Sequence, residues 1–294
     1  MNDVAAIVVT YNRREILSNT IKKLLGQIYP NLTIIIVDNN STDDTKEFIQ
    51  PLIMDEKVKY INTGENLGGA GGFQFGIKYA LKFGYKYLWL MDDDCYPESN
   101  ALLELVNAAK ELNDNFGFLS SLAYWTNGQL CNMNIQRKKI AKKVSLKDIN
   151  FTKIIMATFV SFFVKSETIK KVGLPIKEFF IWSDDLEYSR RISKKNDCYL
   201  ITKSKVVHAM KNNEKVNIVN DSKDRIERYN FLYRNELYIY RREGISGIIY
   251  YMARVLYHIF KILISKNNEK YRKIRIILSS VKAGVHFNPS IEYV

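Results

Sequence analysis

Residues 5–37 read AAIVVTYNRREILSNTIKKLLGQIYPNLTIIIV, and the alternation inside this stretch sets the fold. Two short apolar, β-branched runs, AAIVVT (5–10) and TIIIV (33–37), bracket REILSNTIKKLLGQ (14–27), whose apolar positions recur at helical spacing. The pattern predicts strand, helix, strand, and it continues downstream. DNNSTDDTKEFI (38–49) is a polar turn able to start a helix, and VKYI (58–61) is a short strand. NTGENLGGAGGFQFGIKYALKFG (62–84) is a glycine-rich loop entering a helix, and YLWLM (87–91) is a further strand. Such alternation predicts an α/β fold with a mostly parallel central sheet flanked by helices, and ligand chemistry at the carboxyl ends of its strands.

A chain of 294 residues with 47% hydrophobic content can bury a substantial core. Its formal charge of +13 is concentrated toward the C-terminus, in KSKVVHAMKNNEK (203–215), RREG (241–244) and KNNEKYRKIR (266–275). That sign suits nucleic acid, an anionic substrate or a phospholipid surface. Two acidic clusters and the lack of a recognition motif argue against nucleic acid. Cys95, Cys131 and Cys198 are too few and too scattered for a disulfide scaffold or a thiolate zinc site, so a reducing compartment is expected. The N-terminal apolar patch reads as a first strand rather than a secretion signal. IIMATFVSFFVKSETIKKVG (154–173) is too short and interrupted to cross a bilayer, and no membrane span is expected.

A boundary near residue 210 separates an N-terminal α/β unit, 1–210, from a basic helical region, 211–294. In the latter, GISGIIYYMARVLYHIFKILISKNN places Ile248, Met252, Val255, Ile259 and Leu263 on one side of a helix, with Arg254, His258, Lys261 and Ser265 on another.

YLWLMDDDCYPES (87–99) runs a strand into three aspartates. Adjacent carboxylates repel one another and favour a cation or solvent over close burial. In an extended segment Asp92 and Asp94 point to one side and Asp93 to the other. Two oxygen donors so placed suit Mg2+ or Mn2+, while a solvated helix start is the plain alternative. A second cluster, FFIWSDDLEYSRR (179–191), brings Asp184, Asp185 and Glu187 after an aromatic run. Glu187 with Arg190 and Arg191 reads as helical ion pairing, whereas Asp184 or Asp185 could take a proton from an attacking hydroxyl. His208, in SKVVHAM, would complete a Mn2+ site only if its strand ends beside Asp92 and Asp94. ENLGGAGGF is dense in glycine, but a dinucleotide fingerprint follows the first strand, and here that strand is followed by YNRRE. The glycines serve a tight turn, phosphate approach, or both.

Taken together, AAIVVTYNRRE, IIIVDNNSTDDT, NLGGAGGF, LWLMDDDCYP, FIWSDDLEYSRR and His208 resemble the family 2 glycosyltransferases of the GT-A fold, most closely their galactofuranosyltransferase-like and rhamnosyltransferase-like branch. The resemblance covers roughly residues 4–235. It implies that Thr10, Asn12 and Arg13 meet the nucleotide diphosphate, that Asp38 recognises the base, and that Asn66 and the glycines including Gly71 lie by the ribose and diphosphate. Asp92 and Asp94 resemble the ends of the DxD motif, with His208 as third ligand of Mn2+ or Mg2+. Asp93 belongs to the same donor-binding turn but is the aspartate least expected on the metal. Asp185 resembles the base, Asp184 an acceptor-orienting acid, and Trp182 an aromatic wall of the acceptor site. Tyr229, Arg234 and Asn235 either support the fold or touch a lipid diphosphate.

The implied activity is inverting transfer of galactofuranose or rhamnose from a UDP- or dTDP-linked donor to an undecaprenyl-diphosphate-linked glycan, in the synthesis of a bacterial surface polysaccharide. Galactopyranose, glucose and N-acetylhexosamines are alternative donors, and a non-catalytic scaffold subunit is an alternative function. The processive Gln-x-x-Arg-Trp signature is absent, which favours single or short-run addition. The basic tail suggests a cytoplasmic protein peripheral to the inner face of the membrane, or else a face packed on the catalytic unit or on a second copy.

Overall fold

The computed structural model describes residues 3–140, 142–145, 147–213, 216–221, 223–266 and 269–294. Residues 214–215 and 267–268, within two of the basic segments, lie outside them. The strand–helix–strand opening forms as β1 (Val4–Thr10), α1 (Arg14–Leu25) and β2 (Leu32–Asp38). Every residue of both strands is buried, as strands covered on two faces require. Along β1, Val4, Ala6 and Val8 enter one core layer, and Ala5, Ile7 and Val9 enter the other. The chain continues through α2 (Thr45–Phe48), α3 (Gln50–Ile53), β3 (Val58–Asn62), α4 (Gly68–Leu81), β4 (Tyr87–Asp92), β5 (Cys95–Pro97), α5 (Ala101–Glu111) and β6 (Phe118–Trp125). Short strands β7 (Arg137–Lys139), β8 (Lys142–Lys143) and β9 (Thr152–Lys153) precede β10 (Phe162–Lys165), α6 (Ser166–Val172), α7 (Asp184–Ser193) and β11 (Tyr199–His208). Four helices follow: α8 (Lys223–Ile226), α9 (Tyr229–Arg241), α10 (Gly244–Ile264) and α11 (Lys270–His286).

The central sheet runs β3-β2-β1-β4-β10-β6-β11-β5. The expectation of a mostly parallel sheet needs correction. β3, β2, β1 and β4 are parallel, but β10 is antiparallel to both β4 and β6, and β5 and β9 are antiparallel to β11. The connection from β6 to β10 contains the β7–β8 ribbon instead of a crossover helix, so the chain re-enters the sheet reversed. A buried strand shows the same apolar run in either direction, which is why the sequence pattern did not register the change.

The glycine run serves packing first. Gly68 opens α4 at φ +68°, and a Cβ there would collide with the Phe180 carbonyl. One turn further, a Cβ on Gly72 would lie 2.6 Å from Val9, and on Gly76 2.6 Å from Ile7 and Val37. These absences let α4 lie directly on β1 and β2.

The C-terminal helices form their own core around Tyr229, Tyr233, Tyr251 and Ile277. α9 also joins the sheet-bearing part through Tyr238 and Ile239, which pack with Phe179 and Ile176. On α10 the apolar side divides, with Val255 turned inward and Ile248, Met252 and Leu263 left exposed. The inward side carries Tyr251, Val255 and Ile262 together with Arg254, which pairs with Glu236 at 3.0 Å, and His258, whose Nδ1 lies 2.9 Å from the Tyr233 hydroxyl. Ile245, Ile249, Leu256, Phe260 and Ile264 are exposed, as are Ile248, Met252 and Leu263. Gly244–Ile264 is also long and apolar enough to cross a membrane by length and composition, against the expectation of no span. Its inward Arg254 and His258 are held by partners on α9.

Candidate metal centre

Strand register assembles the site. Thr10 pairs with Asp38, and Val9 with Asp92, so the ends of β1, β2 and β4 meet on one edge. β11 pairs its last residue, His208, with Cys95, one residue past the acidic turn. Asp92, Asp94 and His208, distant in sequence, thereby present ligand atoms within 4.8 Å of one another. Two carboxylates and one imidazole suit a hard or borderline divalent cation. The residues fit such an ion, because the half-buried Asp92 side chain has no hydrogen bond or ion pair among the described residues. Burial, and then the charge of Asp94, push its carboxyl up to about 6. His208 Nε2 lies 2.8 Å from Asp94 Oδ1. Burial opposes the imidazolium, but this contact prevails and raises His208 to about 10. Asp94, although buried, is held below the usual carboxylate range by His208 and Arg13.

Asp93 turns away from this triad. Its carboxylate accepts from Thr10 Oγ1 at 2.7 Å and from Arg13 at 2.7 Å, and its main-chain carbonyl accepts from the Thr20 hydroxyl. The second amino group of Arg13 donates to Asp94 at 2.8 Å, so one guanidinium spans both aspartates. Asn12, at φ +54°, ties the first loop to the second by accepting from Thr42 N at 2.7 Å and donating its own N–H to Ser41 Oγ at 2.9 Å. Asp38 is buried, with one oxygen accepting from Ser41 N at 2.8 Å and the other from the Tyr60 hydroxyl. Asn66 is exposed and accepts from Gly68 N at 2.9 Å, while Gly71 is buried within the first turn of α4.

The second acidic cluster opens α7 after a contorted segment. Phe180, Trp182 and Ser183 have φ of +62°, +65° and +68°, a conformation costly for such side chains and sustained by its surroundings. Asn235 supplies much of that support, donating to the carbonyls of Phe179 at 3.0 Å and Trp182 at 2.8 Å. Arg234 donates to the Glu178 carbonyl at 2.6 Å, and Tyr229 packs edge-on against Trp182. Of the two roles open to these three, the contacts supply fold support. Glu187 pairs with Arg191 at 2.8 Å, whereas Arg190 reaches Glu243 on the C-terminal helices. Asp184 is buried and its carboxyl is raised, first by burial and then by Asp185. Asp185 is half-buried and pushed up to about 7 by burial, with the Asp92 charge adding to the rise and Arg137 opposing it. The Asp92 charge thus raises both Asp184 and Asp185.

Thr20, Asn134 and Arg137 were not singled out by the sequence. Each is an ordinary polar residue in its local context, and only the tertiary contacts distinguish it. Asn235, named beforehand from RYNFLYRN, takes the fold-supporting role of the two it was given.

A curled α/β sheet with an acidic turn at the carboxyl end of β4 and a distant histidine defines a nucleotide-diphospho-sugar transferase architecture. Residues 5–172 match the model of glycosyl transferase family 2, and the chain belongs to that family. Asp184, Asp185 and His208 lie beyond the matched region. Galactofuranosyltransferase GlfT1 of Mycolicibacterium smegmatis is 25% identical over 64% of this chain. The match spans 65% of that relative's length. A GalNAc(5)-diNAcBac-PP-undecaprenol beta-1,3-glucosyltransferase of Campylobacter jejuni is 34% identical over 38% of this chain and 36% of its own. Among solved structures, a mannosyltransferase from Pyrobaculum calidifontis, in complex with GDP-Man and Mn2+, superposes with a TM-score of 0.56 at 14% identity, covering 97% of this chain and 76% of that one. This last likeness speaks to the fold alone.

Proposed function

We propose that this chain is an inverting, metal-dependent glycosyltransferase that moves a sugar from a nucleotide diphosphate to a hydroxyl of a lipid-linked glycan. The observation that carries the reading is the convergence of Asp92, Asp94 and His208, with the raised carboxyl of Asp185 close enough to feel Asp92. Mn2+ or Mg2+ at the triad would neutralise charge growing on the departing diphosphate. Arg13, anchored across Asp93 and Asp94, places a second positive charge at that edge. Thr10, Asn12, Asn66 and the Gly68–Gly72 turn line the donor side, with Asp38 at its base end. Asp185 removes the proton of the acceptor hydroxyl as it attacks, and a carboxyl poised near 7 is suited to that work. Asp184 orients the acceptor and Trp182 walls it. A single displacement from the face opposite the diphosphate inverts the anomeric centre.

Galactofuranose is the favoured donor sugar, supported by the GlfT1 relatives, with rhamnose next on the motif resemblance; glucose is supported by the glucosyltransferase relatives. An undecaprenyl-diphosphate-linked acceptor is supported by the named acceptor of the Campylobacter protein. Residues 211–294 serve as the accessory unit to a catalytic part ending near 210. The exposed apolar face of α10, with Lys261 and Lys266 at its C-terminal end, favours shallow insertion in an anionic cytoplasmic leaflet, where each nearby Lys or Arg adds about 1 kcal/mol. Incubating a panel of UDP- and dTDP-sugars with Mn2+ and a lipid-linked disaccharide mimic, then reading product mass and linkage, tests the proposal. One elongated, inverted product is expected. No donor binding by the folded protein across the whole panel would overturn it.

A further inference from the structure

Behind His208, on the side away from Asp92 and Asp94, lies a buried polar cluster that the donor and acceptor chemistry does not use. Asn134 Oδ1 sits 2.7 Å from His208 Nδ1 and 2.9 Å from Cys131 Sγ, while its Nδ2 donates to Thr158 Oγ1 at 2.9 Å. Asn134 is 7% exposed and His208 5%, so water does not substitute readily for these contacts. The loop bearing Asn134 is fixed at both ends of its turn. Cys131 N donates to the Ala123 carbonyl at 3.0 Å, and Asn134 N to the Cys131 carbonyl at 3.1 Å. Asn213, just past His208, accepts from Asn132 N at 2.7 Å and donates to the Leu130 carbonyl at 3.0 Å.

With its amide nitrogen engaged by Thr158, Asn134 offers His208 a carbonyl oxygen, which accepts only from a protonated Nδ1. The neutral ring then carries its lone pair on Nε2, the nitrogen facing Asp94. An amide turned the other way would donate to Nδ1, put the proton on Nε2, and leave no ligand atom toward the cation.

We propose that Asn134 is a positioning residue for the metal centre, selecting the His208 tautomer whose Nε2 can ligate. The inference rests on the metal site and not on the donor sugar, so it is tested with Mn2+ alone. Asn134→Ala is expected to weaken Mn2+ binding about 10- to 100-fold by titration calorimetry, and Asn134→Asp, which keeps the acceptor, to stay within about threefold of the unaltered chain. In a His208→Ala background, Asn134→Ala should produce no further loss. Circular dichroism and the metal-free thermal midpoint report folding of each variant. Should Asn134→Ala not fold, nitrogen NMR of the unaltered protein with Mg2+ decides, with His208 expected to be protonated at Nδ1.

A folded Asn134→Ala with unchanged Mn2+ affinity, an equal loss in the His208→Ala background, or a proton on Nε2 would each overturn the proposal. An unaltered chain that binds no Mn2+ would instead refute the metal site on which it rests.

Discussion

At the residue scale the proposed base is Asp185. Burial and the neighbouring Asp92 charge place its midpoint at about 7, far above a free aspartate. A base works only when ionised, so transfer should fall as pH drops through that midpoint. A cation at Asp92 and Asp94 relieves part of the repulsion, and Mn2+ should therefore move the Asp185 midpoint to lower pH. Carbon NMR of the carboxyl, with and without metal, reads this shift directly; an upward movement would contradict the assigned proximity. Asp185→Asn should lower kcat by about 10²- to 10⁴-fold while leaving Mn2+ affinity close to that of the parent protein. A parallel loss of metal binding would mean that Asp185 acts through the metal centre instead.

At the scale of elements, the turn entering α4 and the segment entering α7 lean on each other at Gly68 and Phe180. Gly68→Ala meets both a left-handed φ and the Phe180 carbonyl, and should cost about 1–3 kcal/mol, read as a lowered denaturation midpoint. Wild-type stability would show that this junction yields easily. These elements also show what was legible beforehand. β1, β2 and β4 announce themselves because parallel buried strands are continuous apolar runs, and the aspartates after β4 expose an electrostatic problem that a cation resolves. The direction of β10 was not legible, since polarity patterns carry no sign of strand direction. Nor was the partner of His208, because Asn134 acquires meaning only when distant segments meet; Asn235 stood out beforehand, but its bond to the Trp182 carbonyl did not. The glycines were ambiguous in sequence, and close packing of α4 on β1 and β2 accounts for Gly72 and Gly76.

For the whole molecule, charge and apolar surface divide the work. The acidic edge of the sheet gathers a cation, while the C-terminal helices expose an apolar α10 face beside basic residues. Arg254 and His258 face inward to Glu236 and Tyr233, which leaves the opposite, apolar face of α10 free for a partner. Leu256→Glu with Phe260→Glu should weaken sedimentation with anionic vesicles at least about tenfold and leave donor binding in solution unchanged. If the substitutions instead dissociate a dimer without changing vesicle binding, a second copy is the occupant of that face.

On the proposed function, Asp92, Asp94 and His208 hold the cation through which a nucleotide diphosphate binds. The most direct test of this is calorimetric titration of UDP and dTDP into the protein and into Asp94→Asn, each with and without Mn2+. At least one nucleotide should bind in a manner that requires Mn2+ and is lost in Asp94→Asn. Equally tight binding without metal, or binding untouched by the substitution, would contradict it.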